Sequence, residues 1–394
     1  MKRFYPILFI LFLLVSCLKE PEFHSYQVSF NVDFGTDFPQ DKKSGAKVVL
    51  FNQTKSYTVE ARTDSEGLVH FQSIEPGLYS VTISYKFSKN GYVYFYNGVK
   101  DVQIFDDVTN SISVSGTKTS AFVIKEFYFS GSTTPAGKPY SADQYIELFN
   151  NSADTQYADG LSLIEHESYG TGENYWNYMK DTIVAKMVWT IPGSGNEVPI
   201  LPGKSIILAR TGINHKSDPN GNPLSPVNLG NAEFEFYVAK QPETDIDSPT
   251  VPNLEEDKFV FRGNDVVFHV KGGSAIAFAR IPGKNYTERM AYINKNLIAK
   301  ASVSGSNTTY YVKIANSSVY DAVEVVIDEA HAIYKRLPAS MDIGYTFVAA
   351  GSGSGKCIRR KVKEIVDGRV VYQDSNNSTE DFLKDVDPKP KQYE

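Results

Sequence analysis

Residues 26–34 alternate strictly between apolar and polar side chains. The apolar positions are Tyr26, Val28, Phe30, Val32 and Phe34. Because successive side chains of a strand point to opposite faces, this period predicts a strand with one buried face. Similar short runs follow, most of them separated by turns rich in Gly, Pro, Asn or Asp, at 46–51, 56–62, 68–72, 78–85, 92–96, 99–105 and 111–114. Evenly spaced short strands of this kind predict a β-sandwich.

The first 16 residues have the pattern of a signal peptide. Lys2 and Arg3 precede an apolar run over residues 4–15. Twelve helical residues span only about 18 Å, which is too short for a hydrocarbon core of about 30 Å. The run therefore predicts a secretory signal rather than a permanent membrane helix.

The sequence Leu14-Val15-Ser16-Cys17 resembles the lipobox of bacterial lipoproteins, in which a small residue precedes an invariant cysteine. The resemblance implies cleavage before Cys17, lipidation of Cys17 and membrane attachment through that lipid. The charged residues that follow resemble the tag with which Bacteroidota export lipoproteins to the outer face of the outer membrane. We expect a lipid-anchored outer-membrane protein on the cell-surface or periplasmic face, with a tether over 17–24. An ordinary secretory peptide and an ordinary solvated tether remain open.

Charge and cysteine content further restrict the classes of protein to which this chain can belong. Without Lys2 and Arg3, 38 basic residues stand against 46 acidic ones, a net charge of −8 over 378 residues. Nucleic acid is an unfavourable partner for such a chain, because phosphate binding requires a basic face. Lipidation of Cys17 leaves Cys357 without a partner, so stability must come from burial. The length suffices for two or three domains, and the 25 Tyr and 24 Phe favour a mainly β fold.

The N-terminal pattern resembles the transthyretin-like or carboxypeptidase-regulatory-like domain over residues 25–116. The pieces that carry it are 48–50 (VVL), 62–67 (RTDSEG), Phe71 and 74–81 (IEPGLYSV). We expect Gly67 to close the turn that begins at Asp64, and Gly77 to take positive φ in a tight turn after Pro76. Domains of this class usually act as spacers or docking modules, and none of these residues suggests chemistry.

A second pattern begins near residue 120. Its pieces are 145–150 (YIELFN), 159–163 (DGLSL) and 201–209 (LPGKSIILA), which in this order resemble a lamin-tail-like domain, an immunoglobulin-type sandwich. Ile146, Leu148, Ile206 and Leu208 are expected in its core. Glu147 occupies an outward position of its strand, and we interpret it as a structural or surface carboxylate. The domain is expected over residues 120–383, with insertions near 165–186, 211–260 and 285–350.

The C-terminal sequence 374–382 (DSNNSTEDF) follows a basic strand. This ending resembles an uncharacterised family of Bacteroidota outer-membrane lipoproteins that joins a transthyretin-like domain to a lamin-tail-like one. The family has no established activity, so the resemblance implies an architecture and a membrane address only. We expect Phe382 to anchor the chain end and residues 384–394, with Pro388 and Pro390 among charges, to be disordered.

The sequence offers no catalytic set, metal site or cofactor motif. The stretch 350–357 (AGSGSGKC) lacks the first Gly and the Ser/Thr of a phosphate loop, and 328–331 (DEAH) precedes that loop instead of following it. In 165–167 (EHE), neighbouring strand residues face opposite sides, which does not suit a metal. We therefore predict that the protein is not an enzyme, although an enzyme of unrecognised type remains an alternative.

Four aromatic residues in the first insertion are the candidate ligand or partner surface: Tyr169, Tyr175, Trp176 and Tyr178. Aromatic faces interleaved with Asn side chains suit a sugar or a flat ligand, whereas a hydrophobic loop that caps its own sandwich is the alternative. If Trp176→Ala alters thermal stability but does not change binding, the loop is only a cap.

These patterns favour a non-catalytic lipoprotein that binds a ligand or acts as an accessory to an outer-membrane transporter, a β-barrel. Long loops on two rigid sandwiches suit this role. A fimbrillin-like pilus or adhesion component is the alternative, since such pilins are also lipoproteins with transthyretin-like domains and expose a basic cleavage site, here Lys42-Lys43. Against it stands the charged, Pro-rich chain end, a poor donor strand.

Overall fold

Strands dominate the structure, which is a computed structural model. It describes residues 24–36, 38–89, 92–118, 121–168, 170–240, 245–260, 268–302, 305 and 307–393. Cys17, the signal sequence and Tyr169 lie outside the described residues. Neither α-helix in the described part of the chain has the length and apolar character that crossing a bilayer requires.

The N-terminal half contains eight strands: β1 (Tyr26–Asp33), β2 (Lys47–Asn52), β3 (Thr58–Arg62), β4 (Leu68–Ile74), β5 (Gly77–Lys89), β6 (Tyr92–Ile104), β7 (Val108–Ser113) and β8 (Ser115–Lys118). They form a three-stranded sheet in the order β4-β1-β7 and a five-stranded sheet in the order β3-β2-β5-β6-β8. A 3₁₀ turn, Gln40–Lys42, lies between β1 and β2.

The alternation in β1 is confirmed, because Val28, Phe30 and Val32 are buried between the two sheets. The turn predictions are confirmed at one position and wrong at the other. Gly67 closes the Asp64 turn, with its N–H donating to Asp64 O at 3.2 Å, and its φ of +85° lies in the region that favours glycine. Gly77 does not have positive φ; it opens β5, and a Cβ there would lie 3.0 Å from the Asn52 amide nitrogen.

The second half contains the remaining strands. They are β9 (Phe122–Tyr128), β10 (Ser132–Thr133), β11 (Pro139–Tyr140), β12 (Tyr145–Asn150), β13 (Gln156–Tyr157), β14 (Leu161–His166), β15 (Thr182–Thr190), β16 (Pro199–Ile200), β17 (Ser205–Ala209), β18 (Phe234–Glu235), β19 (Glu255–Phe259), β20 (Ala275–Arg280), β21 (Leu297–Ala301), β22 (Thr308–Ala315), β23 (Val319–Glu324), β24 (Cys357–Arg360), β25 (Val362–Val366), β26 (Arg369–Tyr372) and β27 (Phe382–Val386). The helices are α1 (Tyr286–Lys295) and α2 (Ser378–Asp381), with 3₁₀ turns at Asn316–Ser318 and Glu329–Tyr334.

Two large sheets face each other in this half. One has the order β18-β17-β12-β9-β24-β27, and the other has the order β21-β22-β15-β14-β20-β23, with β19 beside β15. The predicted core residues Ile146, Leu148, Ile206 and Leu208 all lie between them, together with Trp189. The mainly β sandwich class predicted from the sequence is therefore confirmed.

The predicted insertions build and cover this sandwich. Residues 211–260 supply β19, and residues 285–350 supply α1, β21, β22 and β23. Ile293 of α1 packs on the outer face of the seven-stranded sheet, and Val227 and Leu229 pack on the outer face of the six-stranded sheet. Because both faces of each sheet are covered, every residue of β9, β12 and β14 is buried.

The prediction of a disordered end over residues 384–394 is wrong for the described residues 384–393. Phe382 is anchored in the core as expected, but β27 continues to Val386 and pairs with β24. The following residues, 387–393, cross the outer face of the six-stranded sheet; we call them the C-terminal segment. Their backbone groups bond to buried charges, such as Lys389 N–H to Glu126 Oε1 at 2.9 Å. These bonds order a stretch whose composition alone predicts disorder.

Glu147 has the outward position that its strand predicts, and the structure decides between the structural and the surface carboxylate left open by the sequence. Its side chain does point away from the sandwich core, but it is completely buried because the C-terminal segment covers it. It pairs with Lys125 at 2.8 Å and is a structural carboxylate, not a surface one.

Candidate functional site

The predicted aromatic residues lie in the connection between β14 and β15, residues 167–181, which we call the aromatic loop. Its start is held by backbone bonds to a distant segment, with Gly170 N–H donating to Gly273 O at 2.9 Å. Arg336 donates to Gly172 O at 2.9 Å and to Ser168 O at 3.3 Å. The loop is therefore attached to the body of the sandwich near its start.

Trp176 is buried and acts as the anchor of this loop. Its indole N–H donates to Glu167 Oε2 at 2.8 Å, and Lys300 Nζ contacts Glu167 Oε1 at the same distance. Its ring packs edge to face on Tyr311 with centroids 6.3 Å apart. The sequence places Trp176 among the candidate ligand contacts, but with only 2% of its surface exposed it offers little area to a ligand. Its packing agrees with the alternative interpretation, in which the loop caps its own sandwich.

Tyr175 and Tyr178 are the exposed members of the set, with 56 % and 68 % of their surfaces open to solvent. Both rings contact Trp176, Tyr175 edge to face at 4.7 Å and Tyr178 tilted at 6.3 Å between centroids. The Lys300 ammonium lies 4.7 Å from the Tyr175 ring centroid, within the range of a cation–π interaction. The structure thus brings three of the four predicted residues together; Tyr169 is outside the described residues.

Local hydrogen bonds define the backbone of the turn that carries these rings. Asn174 Oδ1 accepts the Trp176 N–H at 3.0 Å, and Trp176 O accepts the Met179 N–H at 2.8 Å. Asn177 Oδ1 accepts from Lys180 Nζ at 2.8 Å. The Asn residues that suggested ligand binding in the sequence therefore also shape the turn, as short amide side chains commonly do.

Sequence reasoning missed Glu167 and Lys300 as parts of this site. Glu167 is close in sequence to the aromatic residues, but Lys300 comes from β21, across the seven-stranded sheet. Nothing in the local pattern around Lys300 marks it, since only the pairing of β21 with β22 and of β22 with β15 places it beside the loop.

Glu165 and His166 are internal groups with partners. Glu165 pairs with Lys186 at 3.0 Å and accepts from Ser274 Oγ at 2.6 Å. Burial lowers the pKa of His166 to about 3, aided by the charge of Arg336, so the imidazole is neutral. Its Nδ1 accepts the Ser168 N–H at 3.1 Å. Among the described residues there is no group of three His, Cys, Asp or Glu side chains arranged to hold a metal ion.

The two stretches that resemble nucleotide-binding motifs stabilise the local backbone through hydrogen bonds. In the Gly-rich stretch before β24, Gly353 N–H and Gly355 N–H donate to Ser130 O and Gly131 O at 2.7 and 2.9 Å, so these donors are not available to a phosphate. Asp328 Oδ1 accepts the His331 N–H at 3.1 Å and caps the following 3₁₀ turn.

A cavity of about 430 Å³ lies beside the edge of β17, away from the aromatic loop. Its walls are mainly apolar, with Val198, Ile200, Ile206 and Phe234, and Leu201 beside it is exposed. Sequence reasoning did not predict this cavity, because β16, β17 and β18 form it jointly.

Comparison with known proteins identifies one related family. The model of a family described as protein of unknown function (DUF4876) matches residues 201–389. A crystal structure of a DUF4876 family protein from Bacteroides thetaiotaomicron is 28% identical and covers 92% of this chain and 96% of that one, with a TM-score of 0.60. No curated protein matches the chain. Over most of its length, the chain is therefore similar to an uncharacterised family of Bacteroidota.

A second crystal structure, of a candidate cell adhesion protein from Bacteroides eggerthii, is 10% identical and covers 65% of this chain and 74% of that one. Its TM-score of 0.17 is too low to carry any argument about fold or function.

Proposed function

We propose that this protein is a non-catalytic lipoprotein of the outer membrane that binds a ligand through the aromatic loop. The observation that carries the proposal is the exposure of Tyr175 and Tyr178 on a turn anchored by buried Trp176. Exposed aromatic rings on a rigid support lose little conformational entropy on binding, which favours them as recognition surfaces.

A saccharide is the ligand class that suits this surface best. Tyrosine rings offer flat apolar faces, and their hydroxyl groups and the exposed side chains of Glu173, Asn177 and Lys180 offer hydrogen-bonding groups around them. The buried groups beneath the loop are already satisfied by one another, as the Trp176–Glu167–Lys300 chain of contacts shows. Binding would therefore use the exposed rings without opening the loop.

Glycan-array binding and titration with the saccharides that score positive would test this role. The double variant Tyr175→Ala/Tyr178→Ala is expected to lose at least about tenfold in affinity, the equivalent of about 1.4 kcal/mol. Tyr157→Ala is the matched control, because Tyr157 is an exposed tyrosine on β13, outside the aromatic loop. Unchanged affinity in the double variant would contradict the proposal.

We further propose that Cys17 carries the membrane anchor and that the N-terminal sandwich is a transthyretin-like spacer below a lamin-tail-like binding domain. The lipobox at 14–17 supports the anchor. In cells fed an alkyne-tagged fatty acid, the wild-type protein is expected to take up label and to fractionate with outer membranes. Cys17→Ser should abolish both; label retained in this variant would refute lipidation at Cys17.

We also propose that the protein acts as an accessory to an outer-membrane transporter. Purification of the full-length protein from gently solubilised outer membranes is expected to recover a β-barrel protein in stoichiometric amount. Recovery of the protein alone would leave a solitary binding protein and would refute the accessory role, while the saccharide test above is unaffected.

A further inference from the structure

Lys125 and Glu147 form an ion pair that is completely withdrawn from solvent. Lys125 is the extra residue of a bulge in β9, since Ile124 and Glu126 pair with the consecutive residues Leu148 and Glu147 of β12. The bulge turns the side chains of Lys125 and Glu126 to the same outer face of the sheet. Lys125 Nζ lies 2.8 Å from Glu147 Oε2, and both side chains are 0% exposed.

The two oxygens of Glu147 have different partners. Oε2 faces Lys125 Nζ, whereas Oε1 accepts hydrogen bonds from Ser205 Oγ at 2.5 Å and from the Lys391 N–H at 3.2 Å. An amine thus lies on one side of the carboxyl group, and two hydrogen-bond donors lie on the oxygen at the other side. This is the arrangement that acyl transfer requires, because the donors stabilise negative charge on the oxygen that remains.

The C-terminal segment encloses the pair. Lys125 Nζ also donates to Lys389 O at 3.1 Å, and the Tyr393 ring lies with its centroid 5.5 Å from Nζ. Further ionisable groups near the pair include Glu126, Arg359, Tyr145, Cys357 and Tyr372, all buried or nearly so. Glu126 accepts from Tyr145 and is bridged by Arg359 at 3.2 Å.

We propose that Lys125 and Glu147 condense to an isopeptide bond that covalently joins β9 to β12. Lys125 Nζ attacks Glu147 Cδ and forms the new N–C bond, and the Cδ–Oε2 bond breaks. The ammonium and carboxylate together carry no net charge; two of the three ammonium hydrogens leave with Oε2 as water, and the third stays on the amide nitrogen. Oε1 becomes the amide oxygen and keeps its bonds to Ser205 and Lys391. The step needs no external reagent.

Three physical effects favour this condensation in the buried site. The two groups are held at contact distance, and well-oriented intramolecular reactions reach effective molarities of about 10⁵–10⁸ M. The amide is neutral, so its formation removes two desolvated charges from the interior. Burial raises the pKa of Glu147 despite the opposing charge of Lys125, and the charge of Glu126 raises it further. This shift favours the neutral carboxylic acid, which is the form of Glu147 that an amine attacks.

Peptide mapping of the full-length protein, purified from membranes and digested after denaturation, tests the inference. The expected product is a branched peptide that joins the Lys125 and Glu147 fragments, with a mass one water below the sum of the two. The buried pair Lys186–Glu165 is the internal control, since the same oxygen, Glu165 Oε1, faces both Lys186 and the Ser274 hydroxyl. Its fragments are expected to be linear.

Lys125→Arg is the matched variant, because arginine retains the positive charge but its guanidinium is not a useful nucleophile. The branched peptide is expected to disappear in this variant, and thermal unfolding to shift to lower temperature. A second variant, Lys125→Met/Glu147→Leu, removes both charges together and should yield only linear peptides even if Lys125→Arg folds poorly. Linear Lys125 and Glu147 fragments in the wild-type protein, or a branched peptide that persists in Lys125→Arg, would overturn the inference.

Discussion

Arg360 of β24 pairs with Asp321 of β23 at 2.6 Å, and this contact joins the two large sheets of the second half. The guanidinium is 1% exposed and also faces Asp374 at 3.2 Å and Asp381 at 3.5 Å. Two of the three carboxylates of the ending 374–382 therefore converge on one cation, and Ser375 completes the arrangement by donating to Asp381.

Arg360→Met is expected to lower the free energy of unfolding by about 3–5 kcal/mol, because removal of one partner leaves buried carboxylates without compensation. Urea denaturation at neutral pH measures the change. Lys47→Met is the control: its pair with Glu60 is exposed, so its removal should leave the unfolding free energy nearly unchanged. A loss below about 1 kcal/mol for Arg360→Met would contradict the assignment of a buried network.

Glu324 makes stability depend on pH. Burial raises the pKa of this carboxyl to about 7, although the charge of Lys335 and the N–H groups of Leu337 and Arg336 lower it. The folded protein therefore holds this proton more tightly than the unfolded chain. The stability contribution is greatest below the ordinary value of 4.5, is lost as the pH rises through the interval up to about 7, and stays low above it.

Glu324→Gln tests this effect, because both backbone donors contact the same oxygen, Oε2, which a glutamine oxygen can replace. Denaturation from pH 4.5 to pH 8 should show the variant gaining up to about 3 kcal/mol relative to the wild type as the pH rises. A difference that does not change with pH would mean that Glu324 titrates normally in the fold.

Removal of residues 387–394 is expected to destabilise the protein, since it uncovers Lys125 and Glu147 and removes their backbone partners. The milder variant Tyr393→Phe should cost about 1–2 kcal/mol, because the Ser205 N–H then loses the hydroxyl that accepts it at 3.2 Å. Thermal unfolding measures both. If the truncated protein unfolds at the wild-type temperature, the C-terminal segment contributes nothing to stability.

Trp176→Ala is expected to loosen the aromatic loop, because it removes the ring that packs on Tyr311 and the donor that holds Glu167. Trypsin cleavage after exposed Lys180 should accelerate at least about tenfold, the equivalent of about 1.4 kcal/mol of local opening. Tyr178→Ala, which removes an exposed ring, should leave the cleavage rate unchanged. Equal rates in all three proteins would show that Trp176 does not anchor the loop.

Local patterns predicted the strands well where apolar and polar side chains alternate between the two faces of a sheet. The period of β1 identified its buried residues, and the same alternation placed Ile146 and Leu148 in the core. It failed for the surroundings of Glu147, because alternation indicates the face to which a side chain points but not what covers that face. The cover is the C-terminal segment, more than 200 residues further along the chain.

The candidate site shows the same division. Clustered rings in the first insertion indicated an aromatic surface, and two of them are exposed. Burial of Trp176 depends on Lys300 and Tyr311, whose positions follow from strand pairing far along the chain. No local signal connects these residues to the loop.

By itself, the sequence determined the mainly β class, the core face of individual strands and the position of the aromatic loop, because these depend on periodicity and local turn chemistry. Only the tertiary structure decided which charges are buried, which rings remain exposed and that the chain end is ordered. Burial is a property of all the segments that meet at a point. For Lys125, Glu147 and Arg360 those segments come from opposite ends of the second half of the chain.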